Sequence, residues 1–321
     1  MGKILITRHL PAGGLDPLQA HQLVQREHDV PYSRQDLLAA VADVDAIVCV
    51  LTDRIDAEVL AAAPRLRVVG NVAVGYDNVD VEAAARAGVA VCNTPGVLDE
   101  TTADVAFGLM IAASRLFGEA ERDLRAGRWQ SWAITQYLGR DVHGATLGVV
   151  GYGRIGHAMA RRAAGFGMRV LHHARNDTGE PGFVASLDEL LAEADVVSLH
   201  VPLAPATRHL IGRRELALMK STGVLVNTSR GPVVDEQALA EALESGQIFA
   251  AGLDVFEEEP RVHPRLLAAP RAVLLPHVGS GSRQTRTRMA RLAAEGVRAL
   301  LTGEQPPNLV TPPFRPERPP R

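Results

Sequence analysis

Only two cysteines occur in 321 residues, Cys49 and Cys92. A disulfide-stapled scaffold is therefore excluded, and neither thiol has the neighbours that a metal site or a cysteine nucleophile needs. Both lie in strand-like apolar runs, AIVCVL and VAVCNT, and read as core packing in a reducing compartment. His172 and His173 are adjacent, so a strand would send them to opposite faces and not to one metal. No apolar run approaches the roughly 20 residues that span a bilayer. Charge of one sign is also lacking: 34 Lys+Arg against 37 Asp+Glu leave a formal −3, which offers no general attraction to nucleic acid or to an anionic membrane. The chain opens on a strand-like run, KILIT, without a leader-like segment. These absences predict a soluble, cytoplasmic protein with no metal, nucleic-acid or membrane partner.

What is present is a 46% hydrophobic chain, long enough for two domains with separate cores. The valine-rich run TLGVV breaks into Gly151-Tyr152-Gly153-Arg154-Ile155-Gly156 and continues into the helix-like HAMARRAAGFG. Strand, G-x-G-x-x-G, helix is the context of a dinucleotide-binding turn. Gly151 permits the tight turn, Gly153 lets the backbone approach a pyrophosphate, and Gly156 lets helix and strand pack closely. The diphosphate then rests on free N–H groups at the helix N-terminus. At the end of the next strand, about 20 residues beyond the glycines, a carboxylate normally takes the adenosine ribose. This chain has Ala174, Arg175 and Asn176 there. Without the carboxylate a 2′-phosphate is not repelled, and Arg175 offers it a planar fork of donors, so NADP(H) is expected to be preferred, with NAD(H) as the other cofactor. The alternative is that Arg175 is a solvated loop residue and Asp177 makes the ribose contact.

Further strands are expected over 196–201, 223–227, 250–255 and 272–275, separated by helix-like segments such as ASLDELLAEA and EQALAEALESG. That alternation predicts an open parallel sheet whose ligands bind beyond the strands' carboxyl ends. Arg230, Glu259 and His277 each lie a few residues past such an end. Reducing a ketone needs a proton donor for the developing alkoxide and a cation for a neighbouring carboxylate. His277 suits the first role, Glu259 raises and orients that histidine, and Arg230 clamps a carboxylate while polarising the ketone. Each alone also has an ordinary reading; three matched types beyond three strands of one sheet favour the catalytic one.

The first hundred residues carry their own α/β pattern, with strands expected over 3–7, 46–51, 67–71 and 89–92. One long helix is expected over 102–121 and another over 284–301. The fold class is therefore α/β, with two Rossmann/flavodoxin-like doubly wound parallel-sheet domains and the active site in the cleft between them. The substrate domain comprises 1–98 and 284–321, the dinucleotide domain 99–283, and the two crossings act as a hinge. The tail 306–321, with seven prolines and four charged residues, is expected to be extended or disordered.

VGYGRIG, VNTSRGPVVDE, AAGLDVFEEEP and LLPHVGS together make the chain, from about Lys3 to Pro307, resemble the D-isomer-specific 2-hydroxyacid dehydrogenases, most closely their glyoxylate/hydroxypyruvate reductase branch. The resemblance implies Arg230, Glu259 and His277 as the catalytic set, the glutamate being the one directly before the proline. It implies that backbone N–H groups of Val74 and Gly75, in VAVGYD, hold the substrate carboxylate. Thr102 and Asp254 then stand beside the nicotinamide, and Thr228, Ser229 and Arg230 line the cofactor. Leu51 occupies the position of a phosphate-binding arginine in the phosphoglycerate branch, which argues against that substrate. Trp132 matches a tryptophan that reaches toward the partner's active site; its alternative is to pack, with Trp129, in a dimer interface. The implied protein is a homodimeric reductase of small 2-oxo acids. A reductase of longer sugar acids such as 2-ketogluconate, and a non-catalytic nucleotide-sensing module, are the alternatives, the latter disfavoured by the intact Arg/Glu/His set.

Overall fold

The computed structural model describes residues 2–312; the end of the tail, 313–321, lies outside the described residues. The chain divides into two compact units, Met1–Leu98 with Ser280–Arg321, and Asp99–Gly279.

The first unit comprises β1 (Lys3–Ile6), β2 (Gln22–Gln25), α1 (Arg34–Ala40), β3 (Ala46–Cys49), α2 (Ala57–Ala62), β4 (Val68–Asn71), α3 (Val81–Arg86) and β5 (Ala90–Cys92). Its sheet is parallel throughout, in the order β2-β1-β3-β4-β5. The inner strands β3 and β4 are buried at every position, which is why AIVC and VVG read as apolar runs rather than as alternation. β2 escapes sequence inspection because QLVQ is an exposed edge strand with no such run. Aspartate side chains accept from backbone amides at the starts of α2 and α3, and Ser33 does the same for α1.

The second unit comprises α4 (Asp99–Ser114), α5 (Phe117–Arg125), β6 (Thr146–Val150), α6 (Arg154–Ala164), β7 (Arg169–His173), α7 (Leu187–Glu193), β8 (Val196–Leu199), α8 (Arg213–Leu218), β9 (Val224–Asn227), α9 (Glu236–Glu244), β10 (Ala250–Leu253), α10 (Pro264–Ala268) and β11 (Ala272–Leu274). Its parallel sheet runs β11-β10-β9-β8-β6-β7. A one-residue parallel bridge from His172 to Phe183 lies beyond β7. With that bridge as a vestigial third strand, the order is the doubly wound one whose switch point falls between β6 and β8. Fully buried Leu147, Met159, Leu190 and Leu191 help fill the space around this sheet, each contributing about 1.5–3 kcal/mol by burial. α11 (Arg283–Leu301) belongs to the first unit, where it packs on β4, and its cap Ser282 accepts from the Thr285 amide.

Two expectations are corrected. The helix expected over 102–121 is two helices, α4 and α5, because Leu116 turns into the left-handed region at φ 55° with its side chain buried. The carbonyl of Ser114 there accepts from the Arg140 amide at 2.7 Å, a long-range bond that no local pattern announces. The tail is not loose at its start. Leu309 forms an antiparallel bridge with Cys92, and Asn308 and Thr311 are buried. The Val310 amide donates to Val91 O at 2.8 Å, and the Asn308 side-chain amide donates to Asn93 O at 2.6 Å.

Candidate active site

The turn after β6 has the shape its glycines predict. Gly151 sits at φ 93°, and a Cβ there would lie 2.7 Å from the His200 carbonyl; a Cβ on Gly156 would lie 2.4 Å from Gly151 O. Gly153 caps α6 without a side chain, and the space where its Cβ would stand is open. α6 has no acidic residue in its first turn, whereas α2, α7 and α9 do. An open glycine cradle at the N-terminus of a helix whose own first turn carries no carboxylate fits a dinucleotide diphosphate. Gly153 and Arg154 are exposed, and Ile155 is half-buried. The Tyr152 ring stacks on His172 at 3.7 Å between centroids and faces His157 at 4.1 Å. Burial pushes the Tyr152 hydroxyl up and the His172 imidazole down, so both are held uncharged.

Ala174, Arg175 and Asn176 follow directly on β7, with Arg175 and Asn176 exposed. Asp177 places Oδ1 on the Gly179 amide at 2.8 Å, so one of its oxygens already serves the loop. His157, which sequence reading passed over, ties this loop to α6. Its Nδ1 lies 2.8 Å from Gly153 O and its Nε2 2.9 Å from Glu180 Oε1, and that carboxylate, then the carbonyl, hold the imidazole above its ordinary value.

Beyond β9, β10 and β11 the three polar candidates are placed by their loops. His277 Nδ1 lies 2.8 Å from Glu259 Oε2, while Glu259 Oε1 accepts from the Phe256 amide at 3.0 Å. Burial pushes the Glu259 carboxyl up, but the hydrogen bond and charge of His277, the Phe256 amide and the charge of Arg230 outweigh it and hold the group below the usual carboxylate range. The pair is thus an ionised carboxylate against one ring nitrogen, which leaves Nε2 as the nitrogen free for chemistry. Arg230 leaves the end of β9 in a turn organised by Asn227, whose Nδ2 donates to Arg230 O and whose Oδ1 accepts from the Ser229 amide and hydroxyl. Gly231 lets that turn lie against the Phe256–Glu257 peptide: a Cβ would fall 1.9 Å from Phe256 C. Thr228 is buried beside them.

Asp254 acts as the organiser of the histidine turn. His277 sits at φ 53°, its amide donating to Asp254 O at 2.9 Å, while Asp254 Oδ1 and Oδ2 accept from the amides of Val278 and Gly279, each at 2.7 Å. Gly279 in turn packs on Thr102, whose methyl lies 3.4 Å from where a Cβ would stand. Thr102, Asp254 and His277 are therefore neighbours through one glycine. Val74, Gly75 and Leu51 belong to the first unit, and Trp132 to the second, where its side chain is exposed.

Residues 107–279 match the family described as D-isomer specific 2-hydroxyacid dehydrogenase, NAD binding domain. A glyoxylate reductase of Korarchaeum cryptofilum is 50% identical over 99% of this chain and 98% of its own length. The chain belongs to the D-isomer-specific 2-hydroxyacid dehydrogenases. Within that family it lies with the glyoxylate reductase branch, and it is an enzyme that uses a nicotinamide cofactor. A solved Thermus thermophilus protein is 46% identical and superposes with a TM-score of 0.91, covering 96% of this chain and all of that one. The NADPH-dependent glyoxylate/hydroxypyruvate reductase of Sinorhizobium meliloti, solved with citrate, is 35% identical with a TM-score of 0.87, over 98% of this chain and all of that one.

Proposed function

We propose that this dehydrogenase reduces glyoxylate and hydroxypyruvate to glycolate and D-glycerate, preferring NADPH. The observation that carries the reading is the His277–Glu259 pair, with the Arg230 charge acting on the same carboxylate. A reduced nicotinamide supplies the hydride. His277, held through Nδ1, gives its Nε2 proton to the carbonyl oxygen, and Glu259 stabilises the imidazolium until that transfer. Arg230 grips the carboxylate and polarises the carbonyl, and the N–H groups of Val74 and Gly75 take the other side of the carboxylate. Leu51 supplies no cation at its own position for a phosphorylated substrate.

Gly151 to Gly156, with Thr102, Thr228, Ser229 and Asp254, would hold the cofactor, and Ala174, Arg175 and Asn176 would receive a 2′-phosphate. The archaeal relative's name and the NADPH dependence of the Sinorhizobium enzyme support substrate and cofactor respectively. The protein acts as a cytoplasmic homodimer. Supporting this, Phe117, Leu124, Trp129, Trp132, Ile134 and Leu138 are all exposed within one stretch of chain, an apolar surface a second copy would cover.

The test is the initial rate of loss of reduced-nicotinamide absorbance with each acid against NADPH and NADH. Turnover favouring NADPH, reversed in Arg175→Ala, is expected. Turnover favouring NADH would keep the enzyme and discard the phosphate role of Arg175, and no turnover with either acid would discard the substrate assignment.

A further inference from the structure

The loop after β4 has its carbonyl oxygens tied down one after another. Ala73 O accepts from the Thr94 amide at 2.9 Å, Val74 O from the Asn93 side-chain amide at 2.8 Å, Gly75 O from the Asn71 side-chain amide at 3.0 Å, and Tyr76 O from the Val79 amide at 2.9 Å. In a planar trans peptide the carbonyl and the following N–H point in opposite directions. Fixing the carbonyls of 73 and 74 therefore turns the N–H groups of Val74 and Gly75 the other way, and neither finds an acceptor among the described residues. Successive amides facing one way form an anion-binding concavity.

We propose that Asn93 and Asn71 are positioning residues that aim this row of amides at the substrate carboxylate. Asn93 sets the Val74–Gly75 peptide and hence the Gly75 N–H. Asn71 sets the next peptide and adds the Tyr76 N–H as a third donor. Asn71 is itself locked by a reciprocal pair with Asn78: each side-chain amide donates to the other's carbonyl oxygen, at 3.1 and 3.2 Å. Asn78 also donates to Val50 O at 3.2 Å and Asp53 O at 3.0 Å, the turn that carries Leu51. One amide network thus holds both substrate-facing segments of the first unit in register. Asn93 keeps its backbone bonds to Asn308 whatever its side chain, so its substitution removes the aiming contact and leaves the strand seam intact.

The inference rests on the 2-oxo-acid reading, and the experiment separates the two. Wild type, Asn93→Ala and Asn93→Asp are assayed with glyoxylate and with its uncharged methyl ester, alongside NADPH affinity by fluorescence titration and the thermal midpoint. Asn93→Asp keeps the side-chain shape without the N–H donor. Expected is a rise of about 10- to 100-fold in the KM for glyoxylate in both variants, with kcat within about 3-fold of wild type. The ester and the NADPH dissociation constant should change little, so that discrimination between acid and ester collapses. Equal losses for acid and ester, or an unchanged KM for the acid, would overturn the positioning role. A wild-type protein that does not favour the acid over the ester would overturn the reading beneath it, and the inference with it.

Discussion

Glu259 holds His277 and is held in turn: one carboxylate oxygen lies 2.8 Å from the imidazole Nδ1, the other accepts from the Phe256 amide. A carboxylate clamped at both oxygens cannot swing away, so its charge stays on the ring through the proton transfer. Glu259→Gln preserves the shape and removes the charge. Turnover with glyoxylate should fall by about 10²-fold or more, because no charge then stands against the ring during proton transfer. Unchanged turnover would remove Glu259 from the proton-transfer apparatus.

Arg230 reaches its place because Gly231 lets the turn press on the Phe256–Glu257 peptide. Arg230→Ala should lower kcat/KM by more than about 10-fold by deleting a charge-assisted contact to the reacting group. Gly231→Ala keeps the guanidinium but forces the two loops apart, and should lose activity to a similar extent. Full activity in Gly231→Ala would mean that the close approach is not needed.

The start of the tail is part of the first unit's fabric. Ending the chain at Pro307 removes the Asn308 bonds to Asn93, the Val310 bond to Val91 and the Thr311 hydroxyl that accepts from the Val91 amide. At about 0.5–1.5 kcal/mol for each of these four hydrogen bonds, a loss of roughly 2–6 kcal/mol is expected. Urea unfolding followed by circular dichroism reads this directly; an unchanged midpoint would mean that these bonds do not hold the first unit.

His157 should make stability depend on pH. Glu180 and the Gly153 carbonyl raise its folded value above the ordinary 6.5, so its contribution is complete below that pH and disappears as pH rises through the raised value. The urea midpoints of wild type and His157→Ala should therefore differ most in mild acid and converge in alkali. A difference that grew with pH would contradict the His157–Glu180 contact.

Much of the second unit was legible because its signals are local. The glycine turn, the valine-rich buried strands and the serine and aspartate caps are each dictated by short-range sterics and hydrogen bonding, so β6 begins and ends where TLGVV does. The arginine, glutamate and histidine could be singled out because parallel strands deliver their carboxyl ends to one edge. The break at Leu116, the exposed edge strand β2 and the docking of Asn308 were not legible. Each depends on a partner distant in sequence or on a surface without periodicity.

By itself, then, the amino-acid order determined the alternation of strands and helices, the dinucleotide turn and the residue types that can move a proton beside a carboxylate, because those follow from neighbouring side chains and backbone conformation. Tertiary structure alone decided that Glu259 meets His277, that Asp254 secures the histidine turn, and that Asn93 holds the Val74 carbonyl. Such contacts join residues that follow separate strands, and only the packed sheet brings their hydrogen-bonding groups within reach.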